Sequence, residues 1–405
     1  MSDNKNKKIK VTPMGVTGML KFKNLGEDRL KVIEKAPEAD IVSDYAINAM
    51  AKRNHPDYQE MVIENIKEYP GANAKTFVLK RADGEPAAMF RAGQYVTVVH
   101  EIDGYEYVRP YTLMSSPEEA KYGKYEITIK GYPDGFTSLW AVSQYKIGDR
   151  LKVSGPMGHF YHEPLRDGEN VVAAIGGSSI TVALAMARAI RDGNEDFNLT
   201  ILYGCATKRD IICFDALSDV VAECDRVKLV HVLANEKRPD YEYGLINSYI
   251  INKYAPQDYS LIVCGNAGFM EHMRKESSKL FIPSRKIRFE LTPVPAEVWK
   301  CKDYPIECKG RRYKLVVRQG GKEFRITASA NEPLMVALEK ARIKAPVACR
   351  SGECGFCRSK LLEGSVYMPE ANDFRRASDV ETGYIHPCAA YPCSDVVIDV
   401  PCSYM

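Results

Sequence analysis

Residues 349–357 read CRSGECGFC, which sets Cys349, Cys354 and Cys357 in a C-x4-C-x2-C array, with thirty residues between Cys357 and Cys388. Three cysteines so spaced, with a distant fourth, form the pattern of a plant-type 2Fe-2S site. A loop wrapped round two irons must aim its thiolates inward while offering backbone N–H groups to the sulfides. Gly352 and Gly355 permit the close backbone approach that a side chain would block. A structural zinc site usually pairs cysteines as C-x2-C twice, and the second pair is absent here. Cys393 is a second possible fourth ligand, but Cys388, directly after Pro387, fits the spacing better. Of the twelve cysteines, the six from Cys349 to Cys402 crowd the C-terminal end, while Cys205, Cys213, Cys224 and Cys264 sit singly in hydrophobic surroundings. With no secretory signal in view, metal ligation is favoured over disulfides.

The 405 residues, 45% of them hydrophobic, are enough for about two to four domains with their own cores. Fifty-six Lys and Arg against 53 Asp and Glu leave a charge of +3, too balanced for nucleic acid or an anionic membrane as the main partner. The opening MSDNKNKKIKVTPMGVTG has basic residues without a following apolar core, and no later stretch approaches the length of a membrane span. The expectation is a cytoplasmic protein with no nucleic-acid partner and no membrane span.

Four segments follow one another. Residues 1–60 are mixed and polar, with one helix-like stretch from Ala39 to Asn54, and are assigned no role. Residues 61–162 carry strand-like runs (MVIENIK, KTFVLKR, QYVTVVHEI, YEITIKGY, DRLKVSG) between Gly, Pro and Asp turns, as in an antiparallel β-barrel of small size. From 163 to 297 the rhythm changes: VVAAI, NLTILYG, VKLVHVLA and YSLIVCG alternate with helical stretches, the pattern of an α/β domain with a parallel sheet. A linker, 298–312, leads to residues 313–405, where a hairpin turning at Gly320 and Gly321 precedes a helix from Leu334 to Ile343, the cysteine-rich loop and the strand Val396 to Val400. The chain is thus expected to be multidomain, its last part an α+β domain of the β-grasp type. That last part resembles a plant-type ferredoxin domain, so the rest should supply its electrons.

Within the second segment, Arg109-Pro110-Tyr111-Thr112 follows a strand. A guanidinium can hold a phosphate and a phenol can stack on a flat ring. Gly135, Thr137 and Ser138 offer backbone and hydroxyl donors to a pyrophosphate, and the strand end Ile129, Lys130 lies between the two motifs. The ordered set GQYV, RPYT, DGFTS and GPMGHF resembles the ferredoxin-NADP reductase superfamily across the barrel. That resemblance implies a bound flavin, FAD in preference to FMN, with Thr112 at flavin N5.

The third segment opens with Ile175-Gly176-Gly177-Ser178-Ser179-Ile180-Thr181 between strand and helix, where free N–H groups and the helix dipole would face a pyrophosphate. The superfamily resemblance places NAD(P)H here, and places Cys264, with Gly265, Asn266 and Met270 after it, beside the reacting nicotinamide carbon. Ser179 and Val182 stand where the family has Gly and Pro, and Asn266 where its second motif has Pro. Thr207, Lys208 and Arg209 fall near the expected adenosine ribose; Lys208 or Arg209 could meet a 2′-phosphate, but the stretch resembles NADH users. The domain order resembles the phthalate dioxygenase reductase group. It implies an NAD(P)H-dependent oxidoreductase that passes hydride to flavin and single electrons through a 2Fe-2S cluster to an electron-accepting protein, such as an oxygenase or another reductase component. The three departures leave one alternative, a flavin and 2Fe-2S relay that uses no nicotinamide nucleotide.

Overall fold

The computed structural model describes residues 25–35, 46–290 and 293–402. They belong to two units, one ending at Lys52 and the other beginning at Arg53. Helix α1 (Leu25–Glu34) was not anticipated, and helix α2 (Ala46–Asn54) has no buried residue. The expected helix from Ala39 is therefore described only from Ala46, and residues 39–45 lie outside the described set.

Alternating side chains build the first sheet. Its strands are β1 (Tyr58–Tyr69), β2 (Ala74–Arg81), β3 (Tyr95–Ile102), β4 (Tyr105–Thr112), β5 (Lys124–Lys130) and β6 (Arg150–Ser154), all antiparallel, in the order β4-β3-β6-β1-β2-β5. Met61, Ile63, Phe77, Leu79, Val96, Val98, Ile127 and Ile129 turn inward to one core. The sheet is a half-barrel: between the outer strands, the Met114 N–H donates to the Glu126 carbonyl at 2.9 Å just past the end of β4. The Arg109 to Thr112 motif lies inside β4 and does not follow a strand. Pro110 pairs with Thr97 there, and an edge strand tolerates the missing N–H. Helix α3 (Phe136–Gln144) crosses from β5 towards β6.

The second sheet is wholly parallel: β7 (Asn170–Gly176), β8 (Asn198–Cys205), β9 (Val227–Leu233), β10 (Glu242–Tyr243), β11 (Ser260–Cys264) and β12 (Ile287–Phe289), in the order β10-β9-β8-β7-β11-β12. It is accompanied by helices α4 (Pro164–Asp167), α5 (Ile180–Arg191), α6 (Phe214–Glu223), α7 (Ser248–Tyr254) and α8 (Ala267–Ser277). The chain runs outward from β7 on one side and returns to β11 on the other. The topological switch therefore lies between β7 and β11, and open parallel sheets bind ligands at the carboxyl ends of such a pair.

The third sheet contains β13 (Arg312–Gln319), β14 (Lys322–Ser329), β15 (Ser359–Glu363), β17 (Tyr384–Ile385) and β19 (Val396–Asp399), ordered β14-β13-β19-β15-β17, beside a ribbon of β16 (Val366–Tyr367) and β18 (Tyr391–Pro392). Gly320 and Gly321 take φ of +55° and +76°, the double left-handed turn that matches hairpin twist. Helix α9 (Leu334–Lys340) buries Leu334, Met335 and Leu338 in the core of this part, and α10 (Ala377–Glu381) lies before β17. None of the described helices is long and apolar enough to cross a membrane.

Candidate functional site

The cysteine loop runs from α9 to β15. Cys349, Cys357 and Cys388 are buried and Cys354 is exposed; the sulfurs of Cys357 and Cys388 are 3.4 Å apart. Backbone N–H groups turn towards sulfur: Ser351 and Cys354 donate to Cys349 Sγ at 3.5 and 3.4 Å, and Phe356 to Cys354 Sγ at 3.4 Å. Hydrogen bonds between the sulfurs lower Cys349 and Cys357 and, by the same contacts, raise Cys354 and Cys388, so the four thiols share their protons unequally. Gly352 has φ +87°, and a Cβ there would stand 2.1 Å from the Asn372 carbonyl oxygen, so glycine is required. His386 Nδ1 meets the Gly352 carbonyl at 2.6 Å and anchors the loop. The Ser351 hydroxyl is buried without a hydrogen-bond partner beside these sulfurs. Among the described residues no three His, Cys, Asp or Glu side chains form a group suited to a metal ion. The fit to a binuclear cluster is therefore carried by the sulfur-directed amides and by the tight loop that gathers the cysteines. Cys393 lies elsewhere, its carbonyl accepting from Cys308 Sγ at 3.7 Å.

Beside this loop a cavity of about 930 Å³ is lined by Arg109, Pro110, Tyr111, Lys130, Gly135, Thr137, Ser138, Ser178, Glu339 and Arg350, at the upper end of the usual size for cofactor pockets. The Tyr111 hydroxyl meets His100 Nε2 at 3.0 Å, and His100 Nδ1 meets the Tyr145 hydroxyl at 2.8 Å. Burial, with Arg109 adding to it, pushes His100 down to about 3, so a neutral imidazole links two phenols and fixes the Tyr111 ring. Thr137 Oγ1 is buried at the start of α3 with no hydrogen-bond partner, as a site for an anionic group would leave it. Ile129, by contrast, is a core side chain, 1% exposed. Arg109, expected at a phosphate, forms a two-pronged ion pair with Glu339 at 2.8 and 3.1 Å.

Where β7 gives way to α5, Gly176 is extended and Gly177 has φ +57°. The ring of Phe269 lies against both strand ends: a Cβ on Gly176 or Gly265 would come within 2.9 or 2.3 Å of it. Ser178 Oγ meets the Tyr132 hydroxyl at 3.2 Å, tying this turn to the barrel, while Thr181 Oγ1 donates to the Ser178 carbonyl at 3.4 Å. Ser179 stands at the N-cap of α5 without a side-chain cap bond, and Val182 is fully buried. Asn266 has a clear structural task as N-cap of α8, its Oδ1 accepting from the Phe269 N–H at 2.9 Å. Met270 points into the core. Thr207 is caught by Asp210, and the Lys208 N–H donates to Glu236 at 2.9 Å.

Thr112 and Cys264 are brought together by a residue that no motif in the sequence marks. Glu290 continues β12, its N–H donating to the Val263 carbonyl at 2.9 Å. Its carboxyl accepts from Thr112 Oγ1 at 3.4 Å and shares a hydrogen bond with Cys264. Burial pushes Glu290 up to about 7, and burial raises the Cys264 thiol well above its usual range. Thr112, Glu290, Cys349 and Ser351 line one crevice of about 300 Å³, where all three parts of the chain meet.

Three family models match in order along the chain: an oxidoreductase FAD-binding domain over 64–162, an oxidoreductase NAD-binding domain over 174–275 and a 2Fe-2S iron-sulfur cluster binding domain over 317–393. Among curated proteins, the chain is 29% identical over 337 residues to the glycine betaine monooxygenase reductase subunit of Pseudomonas aeruginosa, covering 78% of this chain and 89% of that one. It is 28% identical over 353 residues to the ferredoxin reductase component of 3-ketosteroid-9-alpha-monooxygenase from Mycobacterium tuberculosis, covering 83% and 93%. The fold is that of phthalate dioxygenase reductase, with a TM-score of 0.60 at 21% identity over 85% of this chain and 98% of that one. The NAD-binding match does not favour the relay that uses no nucleotide. A flavin half-barrel, a nucleotide-binding parallel sheet and a cluster loop, matched in that order by the FAD-binding, NAD-binding and 2Fe-2S domain models, make the chain a reductase that moves electrons from NAD(P)H through flavin and a 2Fe-2S centre to an acceptor.

Proposed function

We propose that this protein is the NADH-dependent, FAD-containing reductase component of an oxygenase system. The observation that carries the reading is the shared crevice of Thr112, Glu290, Cys349 and Ser351, because it sets the flavin strand, the nucleotide sheet and the cluster loop within one cofactor's reach of each other. Flavin, when bound, supplies the conversion between a two-electron hydride and single electrons. Tyr111, held by His100, presents its ring to the cavity; Thr137 and Ser138 at the start of α3 offer donors to a pyrophosphate. Thr112 supplies a hydroxyl at the reacting edge, and Cys264 with Glu290 closes the nicotinamide side, where the carboxyl holds a proton near neutral pH. Gly176, Gly177 and Ser178 turn backbone towards the nucleotide, and Cys349, Cys354, Cys357 and Cys388 hold the cluster. NADH is favoured by Glu236, whose carboxylate beside Lys208 would repel a 2′-phosphate and suits a free ribose. The oxygenase acceptor is supported by the glycine betaine and 3-ketosteroid monooxygenase relatives.

An anaerobic titration of the purified protein with NADH, and separately with NADPH, tests this. A nucleotide brings two electrons to centres that hold three, so full bleaching of flavin and cluster is expected at about 1.5 equivalents of NADH. Reduction by dithionite but by neither nucleotide would defeat the reading.

A further inference from the structure

Glu339, on α9, sits between two guanidinium groups from different parts of the chain. Arg109 of β4 donates to it twice, at 2.8 and 3.1 Å, and Arg350, the residue after Cys349, donates Nη1 at 2.7 Å. The Glu339 side chain is only 8% exposed, so this is a built, largely desolvated contact and not a surface ion pair. Arg350 itself has φ +60°, a backbone state that a non-glycine residue holds only when its surroundings fix it. Two further bonds join the same pair of elements: the Tyr105 hydroxyl donates to the Ile343 carbonyl at 3.1 Å, and Lys344 pairs with Glu106 at 2.7 Å.

Without the carboxylate, two guanidinium groups would face each other in a poorly solvated space and push β4 and the cysteine loop apart. With it, the pair is drawn together and the triad keeps one net positive charge on the wall of the 930 Å³ cavity, where a flavin phosphate is expected. We propose that Glu339 is a positioning residue that clasps the cluster loop to the flavin strand and thereby sets the gap over which electrons pass between the two centres. This rests on the reductase reading given above. In the step concerned, one electron leaves the reduced flavin and one arrives at the oxidised cluster, and no bond forms or breaks.

The test uses the full-length holoprotein with Glu339→Ala and Glu339→Asp. Flavin is reduced by light with a sacrificial donor, so that failure of the clasp is told apart from failure of nucleotide use. Two quantities are read: the rate of cluster reduction after the flash, and amide hydrogen exchange over 105–112 and 343–350. Glu339→Ala, with flavin content and the cluster's EPR signal retained, is expected to exchange faster in both segments and to pass electrons more slowly by about tenfold or more. Glu339→Asp should recover most of both. Arg350→Gln, which releases the loop side while leaving the Arg109 pair in place, should slow transfer and speed exchange over 343–350 but not over 105–112, and serves if the alanine variant does not fold. Unchanged rate and exchange in the alanine variant or in Arg350→Gln would overturn the clasp. Loss of flavin with unchanged exchange would overturn it too, making Glu339 a cofactor ligand.

Discussion

Glu290 shows how one carboxyl acquires its chemistry from position alone. Burial pushes it up to about 7 from an ordinary 4.5, with the charge of Glu353 adding to the rise. The folded protein therefore keeps this proton between pH 4.5 and 7, where the unfolded chain releases it. Its contribution to stability is full below about 4.5 and is lost as pH rises through 7, a change on the order of 3 kcal/mol. Thermal unfolding across pH 5 to 8 checks this: the wild type should lose more of its melting temperature over that range than Glu290→Gln, and parallel curves would mean that the carboxyl is solvated. Nothing in the sequence around RFEL marks this residue, because its role depends on β12 lying beside β11. The cysteine ligands are the opposite case. Their spacing is local, and Gly352 announces the tight loop that the Asn372 carbonyl indeed crowds.

Elements are legible where the physics is local. Strand-like runs between Gly, Pro and Asp turns make β1, β2, β3, β5 and β6 legible in the sequence, β3 although seven of its eight residues are buried. β4 is missing from the strand-like runs, its RPYT motif being placed after a strand, and only the sheet order shows that it sits on an edge where proline costs no ladder bond. Helix α3 is hidden because it starts at Gly135 with no side-chain cap bond. Asn266 illustrates a departure from a family motif that local structure explains: it caps α8 through the Phe269 N–H, and Phe269 in turn covers Gly176 and Gly265. Replacing it with alanine should cost about 1 kcal/mol in denaturant unfolding. Asn266→Asp, which can still accept the bond, should cost much less. Equal losses in both variants would show that the amide serves some purpose other than capping.

Across the whole molecule, the ion pairs between half-barrel and cluster domain are of two kinds. Lys344 and Glu106 are 54% and 34% exposed, whereas Arg109 and Glu339 are 22% and 8% exposed. Salt near 1 M shrinks the Debye length to about 3 Å and weakens the first pair, but it reaches the second poorly because few ions can enter. Neither pair is visible along the chain, since a bond between positions 109 and 339 exists only once a strand and a helix far apart in sequence have packed together. If the buried pair governs docking, flash-initiated flavin-to-cluster transfer should stay within about twofold between 0.1 and 1 M salt, and Glu106→Gln should behave like the wild type throughout. A steep fall with salt, abolished in Glu106→Gln, would instead give control to the exposed pair and leave the buried triad a passive consequence of docking.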